Sequence, residues 1–118
     1  GHPTKFVRSE LDKLAVVTSV GLREVASDSR VLVAGVVTHR QRPATAGGTT
    51  FLNLEDETGL INVVVSKGCW QRFRKVAREA SAMVIRGRLE RSEGVINIVA
   101  ERLDSLPMSG VIASRDFR

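Results

Sequence analysis

Tyrosine is absent from this chain, cysteine and tryptophan occur once each, and proline occurs three times in 118 residues. The single thiol, Cys69, excludes an intrachain disulfide and leaves any thiolate metal site without partners. It fits a reducing, cytoplasmic setting. No apolar run is long enough to span a bilayer, and no signal-peptide pattern opens the chain. His2 and His39 have no Cys or His neighbour at zinc-site spacing. No Gly-rich phosphate loop occurs, and no serine stands in a nucleophile–base motif. No catalytic or metal-binding residue is therefore expected. Four Phe and one Trp are also a thin supply for a surface built on stacking.

What is present is enough for one domain, which at this length buries roughly 60–70% of its unfolded surface. The 18 basic residues outnumber the 13 acidic ones, for a net charge of +5 and a pI near 10.3, so an anionic partner is plausible. The excess is local. Residues 67–91 carry eight basic side chains against Glu79 and Glu90, whereas residues 1–66 balance at seven of each. A solvated helix face is the plain reading of that segment.

Along the chain, Phe6, Val7, Leu11 and Leu14 follow helical spacing over Thr4 to Leu14. Thr18 is placed to cap a short turn over Ser19 to Val25. A long strand follows from Arg30 to Arg42, apolar in its first half, with Gly35 marking a bend or a close backbone approach. Pro43 to Gly48 reads as a flexible loop. In F-L-N-L-E-D-E-T-G-L-I-N-V-V-V-S, alternation on both sides of an acidic turn predicts a hairpin over Phe51 to Ser66. Ser66 can cap a helix over Lys67 to Ala80, whose Trp70, Phe73, Ala77 and Ala80 share a face. Two further strands, Ala82 to Arg91 with Gly87 at its middle and Val95 to Leu103, flank Ser92-Glu93-Gly94. The order predicts a five-stranded OB-fold barrel (β-β-β-α-β-β) at 30–106, with a helical lead-in at 1–29 and a tail at 107–118.

Ligands of such barrels lie across the second and third strands and the loops beside them. Alternation predicts Leu52 and Leu54 buried, and Phe51, Asn53 and Asn62 on the outer face. There a ring can stack on a base and an amide can read a base edge. His39, Arg40 and Arg42 end the first strand, where arginines can grip phosphates or serve only as soluble strand-end groups. Arg86 and Arg88 can extend a basic track, and Arg91 sits at the turn between the last two strands. Arg72, Lys75 and Arg78 are read as a solvated face, Trp70 as a barrel plug, and Glu55-Asp56-Glu57 as a solvated turn rather than a metal site.

The runs V-L-V-A-G-V-V-T-H-R-Q-R-P and T-F-L-N-L-E-D-E-T-G-L-I-N-V-V-V resemble the OB-fold shared by two groups. These are the anticodon-binding domains of class II aminoacyl-tRNA synthetases and the C-terminal region of bacterial C-family DNA polymerase α subunits. H-R-Q-R-P-A-T-A-G-G, W-Q-R-F-R-K-V-A-R and V-I-R-G-R-L-E-R-S-E-G-V-I-N-I-V-A-E-R-L are similar to the error-prone, damage-tolerance branch of the polymerases. The opening G-H-P-T-K-F-V-R-S-E-L and the ending S-R-D-F-R resemble the same branch. The resemblance implies a C-terminal segment of a larger translesion polymerase, with catalytic magnesium held far upstream and no cofactor or polymerase activity here. It implies weak binding of single-stranded template DNA by a monomeric fragment without membrane contact. Phe51 matches a base-stacking position of the synthetases and Asn62 a base-reading one. Val64 departs from an aromatic found in some of them, which argues against strong stacking. The alternative is a module that docks a mutasome accessory protein through the barrel or through Val111 to Arg118. Anticodon recognition is disfavoured by the tail and by the lack of synthetase catalytic sequence.

Overall fold

The computed structural model describes Thr4 and residues 8–106. The expected apolar positions Phe6 and Val7, and the tail with its proposed docking stretch, lie outside the described residues.

Five strands close into a barrel in the order β1-β2-β3-β5-β4. They are β1 (Arg30–Gln41), β2 (Thr50–Asp56), β3 (Gly59–Val65), β4 (Ala82–Ser92) and β5 (Val95–Ser105). All neighbours are antiparallel except β3 and β5. Closure depends on β1, which pairs with β4 over Arg30 to Val36 and with β2 over Val36 to Gln41. The switch of partner falls beside Gly35, where an added Cβ would lie 2.7 Å from the carbonyl oxygen of Glu55. Gly87 meets the same constraint, since its Cβ would sit 2.5 Å from the Val99 carbonyl oxygen at a register shift of β4 on β5. Both mid-strand glycines therefore allow backbones to approach where the barrel turns.

Period-two alternation fills the interior. Leu52, Leu54, Ile61, Val63, Val65, Ile85, Leu89, Ile98 and Leu103 are all buried. Each such aliphatic side chain contributes roughly 1.5–3 kcal/mol of burial. Phe51, between buried Thr50 and Leu52 in the chain, stays 42% exposed.

The helix expected over 67–80 is instead two short helices, α2 (Lys67–Arg72) and α3 (Arg74–Glu79), for which α1 is Arg8–Lys13. Phe73 leaves the helical region at φ −114°, ψ 32°. The kink lets Trp70, Phe73, Val76 and Ala80 all pack on the barrel core around buried Ala77. Ser66 caps α2, its Oγ accepting from Cys69 N at 3.1 Å. The loop 43–48 holds a short 3-10 turn, Ala44–Ala46, and β5 runs two residues past the expected end.

The lead-in also differs from expectation. The helix stops at Lys13 and the chain reverses through Ala15 at φ 61°, so Leu11 is buried while Leu14 is 56% exposed. The following segment is a 3-10 helix, Val20–Glu24, with Thr18 Oγ1 accepting from Gly21 N at 3.1 Å. The acidic turn is not solvated as expected. Asp56 is buried and accepts from Ser19 N, Thr58 N and Thr58 Oγ1 at 2.8 Å, and from Gly59 N at 3.1 Å. Glu57 takes a two-pronged pair from Arg8, with Nε at 2.8 Å and Nη2 at 2.6 Å, and a bond from Thr4 Oγ1. These carboxylates meet donors supplied by the lead-in, so the turn fastens that segment to the barrel. The Arg8 guanidinium, against the opposing cost of burial, holds the Glu57 carboxyl down at about 2.

Candidate nucleic-acid interface

Register places one polar residue from each of four adjacent strands in a single row: His39, Asn53, Asn62 and Asn97. A bulge at Thr38 sets the first of them opposite Asn53, and Thr38 Oγ1 donates to the Asn53 carbonyl oxygen at 3.3 Å. Asn53 Nδ2 donates to Asn62 Oδ1 at 2.8 Å, and Asn62 Nδ2 donates to the Ile96 carbonyl at 3.3 Å. An amide has two N–H groups and two acceptor lone pairs, so each keeps hydrogen-bonding capacity toward a ligand. The next row along the wall is Gln41, Phe51, Val64 and Val99. An exposed ring thus lies one row from a line of amides and an imidazole, with no charged side chain among these eight.

Arg42 follows Gln41 of this row in the chain, and its side chain turns toward buried Thr50 and Trp70. Its Nε donates to Thr50 Oγ1 at 3.0 Å and its guanidinium lies 4.5 Å from the centroid of the Trp70 ring. A cation–π contact of this kind holds the head group over the ring without neutralising it. Trp70 packs on the core, as a plug should, and also supports the arginine.

Arg40, Arg91 and Arg88 have structural work that accounts for their positions. Arg40, expected as a phosphate grip, donates Nε to Ala77 O at 2.8 Å and Nη2 to Ala80 O at 2.5 Å. It satisfies carbonyls at the end of α3 and ties the plug to β1. Burial lowers its pKa. Arg91 donates Nη2 to Leu22 O at 3.2 Å and Val25 O at 2.8 Å, clamping the 3-10 helix to the β4–β5 turn. Arg88 pairs with Asp28 at 3.1 Å and Glu90 at 3.7 Å. Ladder pairing puts it three strands from Phe51, or about 14 Å of barrel wall at roughly 4.8 Å per strand. Arg86 is exposed on that same distant wall, opposite Leu32 and Arg102. The structure therefore brings Phe51, Asn53, Asn62 and His39 together and sets Arg42 at the end of this face with its contacts turned toward Thr50 and Trp70. It leaves Arg40, Arg86, Arg88 and Arg91 outside the face.

Asn97 and Gln41 were not singled out from the sequence. The alternation of Asn97 with Ile96 and Ile98 carried the same signal that exposed Asn53 and Asn62. Among the described residues, no three His, Cys, Asp or Glu side chains group as a metal site.

The pattern of the OB-fold nucleic acid binding domain family matches residues 31–106. The chain belongs to this family. The chain is also 55% identical over 117 residues to an error-prone DNA polymerase of Nocardia farcinica, covering 99% of this chain and 10% of the relative. It is 55% identical over 118 residues to the error-prone DNA polymerase of Cutibacterium acnes, with the same two coverages. The chain thus spans about a tenth of the length of the curated relatives it matches. Asparaginyl-tRNA synthetase from Pyrococcus horikoshii shares the fold at a TM-score of 0.60 and 24% identity, over 75% of this chain and 22% of that one.

Proposed function

We propose that the OB domain holds single-stranded template DNA for an error-prone, translesion DNA polymerase and carries no polymerising chemistry of its own. The observation that carries this reading is the row His39–Asn53–Asn62–Asn97 beside exposed Phe51. Uncharged amides and a ring suit bases splayed from a strand, and Arg42 at the edge suits a phosphate. Similarity to error-prone polymerases over nearly the whole chain supports the parent assignment. One ring and few charges make the contact weak and auxiliary to the rest of the polymerase. In this reading the domain needs no cofactor, magnesium serves the parent's upstream centre, and the protein acts in the bacterial cytoplasm during repair of damaged DNA. Titration with labelled single-stranded DNA tests it: affinity falls with salt and falls further in Phe51→Ala and Arg42→Ala.

A further inference from the structure

Where the amide row reaches the β4–β5 turn, the surface opens into a cleft of about 440 Å³ between that turn, the start of β3 and the 3-10 helix. Asn62 lines it, so the cleft continues the row rather than standing apart from it. Leu60 and Val95, 56% and 51% exposed, present aliphatic surface there. Arg23 and Arg91 also line it, and no carboxylate does among the described residues. Their roles differ. Arg91 is bonded to the Leu22 and Val25 carbonyls and holds the wall in place. Arg23 is exposed and has no hydrogen bond or ion pair among the described residues.

A preformed cleft with apolar walls, a polar floor and one uncommitted cation fits an amphiphilic anion. We propose that it seats one unstacked nucleotide of the bound single strand. The base lies against Leu60 and Val95 within reach of Asn62, and the phosphate meets Arg23. This rests on the reading of the barrel as a single-strand binder. It adds a second point of attachment beyond Phe51, supplied partly by the lead-in rather than by the barrel alone.

The test is a fluorescence-anisotropy titration of the 118-residue chain with labelled oligodeoxyuridylate and oligouridylate of about ten nucleotides, within the span one OB-fold covers. Arg23→Ala and the double variant Leu60→Ser/Val95→Ser are compared with wild type and Phe51→Ala. All changes are at exposed positions, and unchanged melting temperatures confirm folding. The expected result is a loss of about fivefold or more in each cleft variant. Arg23→Ala should also show a salt slope shallower by about one released ion, which Arg23→Lys restores. A loss with both sugars marks a seat for the shared base and phosphate, and a loss with one marks a sugar-selective seat. If Phe51→Ala weakens binding while the cleft variants match wild type, the cleft inference falls and the groove reading stands. An effect of Arg23→Ala alone overturns the base seat. Absence of wild-type binding at low salt overturns both.

Discussion

Asn53 and Asn62 face each other across the β2–β3 pair, joined by a 2.8 Å hydrogen bond from Nδ2 to Oδ1. The bond is on the outer wall, where water would satisfy either amide at little cost. Its effect is to fix two amide planes relative to each other. Asn62→Ala should therefore cost under about 1 kcal/mol of stability, because an exposed hydrogen bond contributes little net free energy. It should instead flatten base preference, since an oriented amide reads an edge that a methyl cannot. Comparing affinities for four homopolymeric single strands checks this, with thermal melting as the control.

Two arginines two residues apart, Arg40 near the end of β1 and Arg42 just past it, should behave oppositely. Arg40→Ala removes two charge-assisted bonds to the carbonyls of α3, and should destabilise the fold by about 1.5–3 kcal/mol. Its effect on the salt dependence of binding should be small. Arg42→Ala should lower stability less and reduce the salt slope by about one ion. Chemical denaturation and titration at several salt concentrations separate the two.

Much of this site was legible because alternation is a local property. Leu52 and Leu54 inside, with Phe51 and Asn53 outside, follow from the pleat alone, and Asn97 was available by the same rule. The arginines were not legible in that way. Arg40 and Arg91 are assigned by where a helix end and a 3-10 helix come to lie, 37 and 69 residues away in sequence. The acidic turn misled for a similar reason, since Arg8 lies 49 residues before Glu57. The kink at Phe73 left no mark, because apolar spacing runs through it unbroken. The barrel's curved end, not local propensity, sets that break.

The latch between Arg8 and Glu57 has a pH signature. The folded pKa of Glu57, about 2, lies below its ordinary value of 4.5. The folded state therefore binds this proton less readily than the unfolded chain. The stabilisation is fully present above about 4.5 and is lost as pH falls toward 2. Discounted for solvent screening, it amounts to about 1 kcal/mol. Melting temperatures between pH 6 and roughly 2 should fall more steeply in wild type than in Glu57→Gln, which should start lower. Parallel curves for the two proteins would remove the latch from the account.

The claim that the outer face of β2 and β3 binds a single strand rests most on Phe51. Its ring is open to solvent, so truncation should leave the fold intact, while loss of a stacking platform costs about 1–3 kcal/mol of binding. The direct measurement is the affinity of wild type and Phe51→Ala for labelled single-stranded DNA at low salt, with melting temperature recorded for each. The account predicts detectable wild-type binding, an affinity lower by about fivefold or more in the variant, and nearly equal melting temperatures. Equal affinity in two equally stable proteins, or no wild-type binding at all, would contradict it.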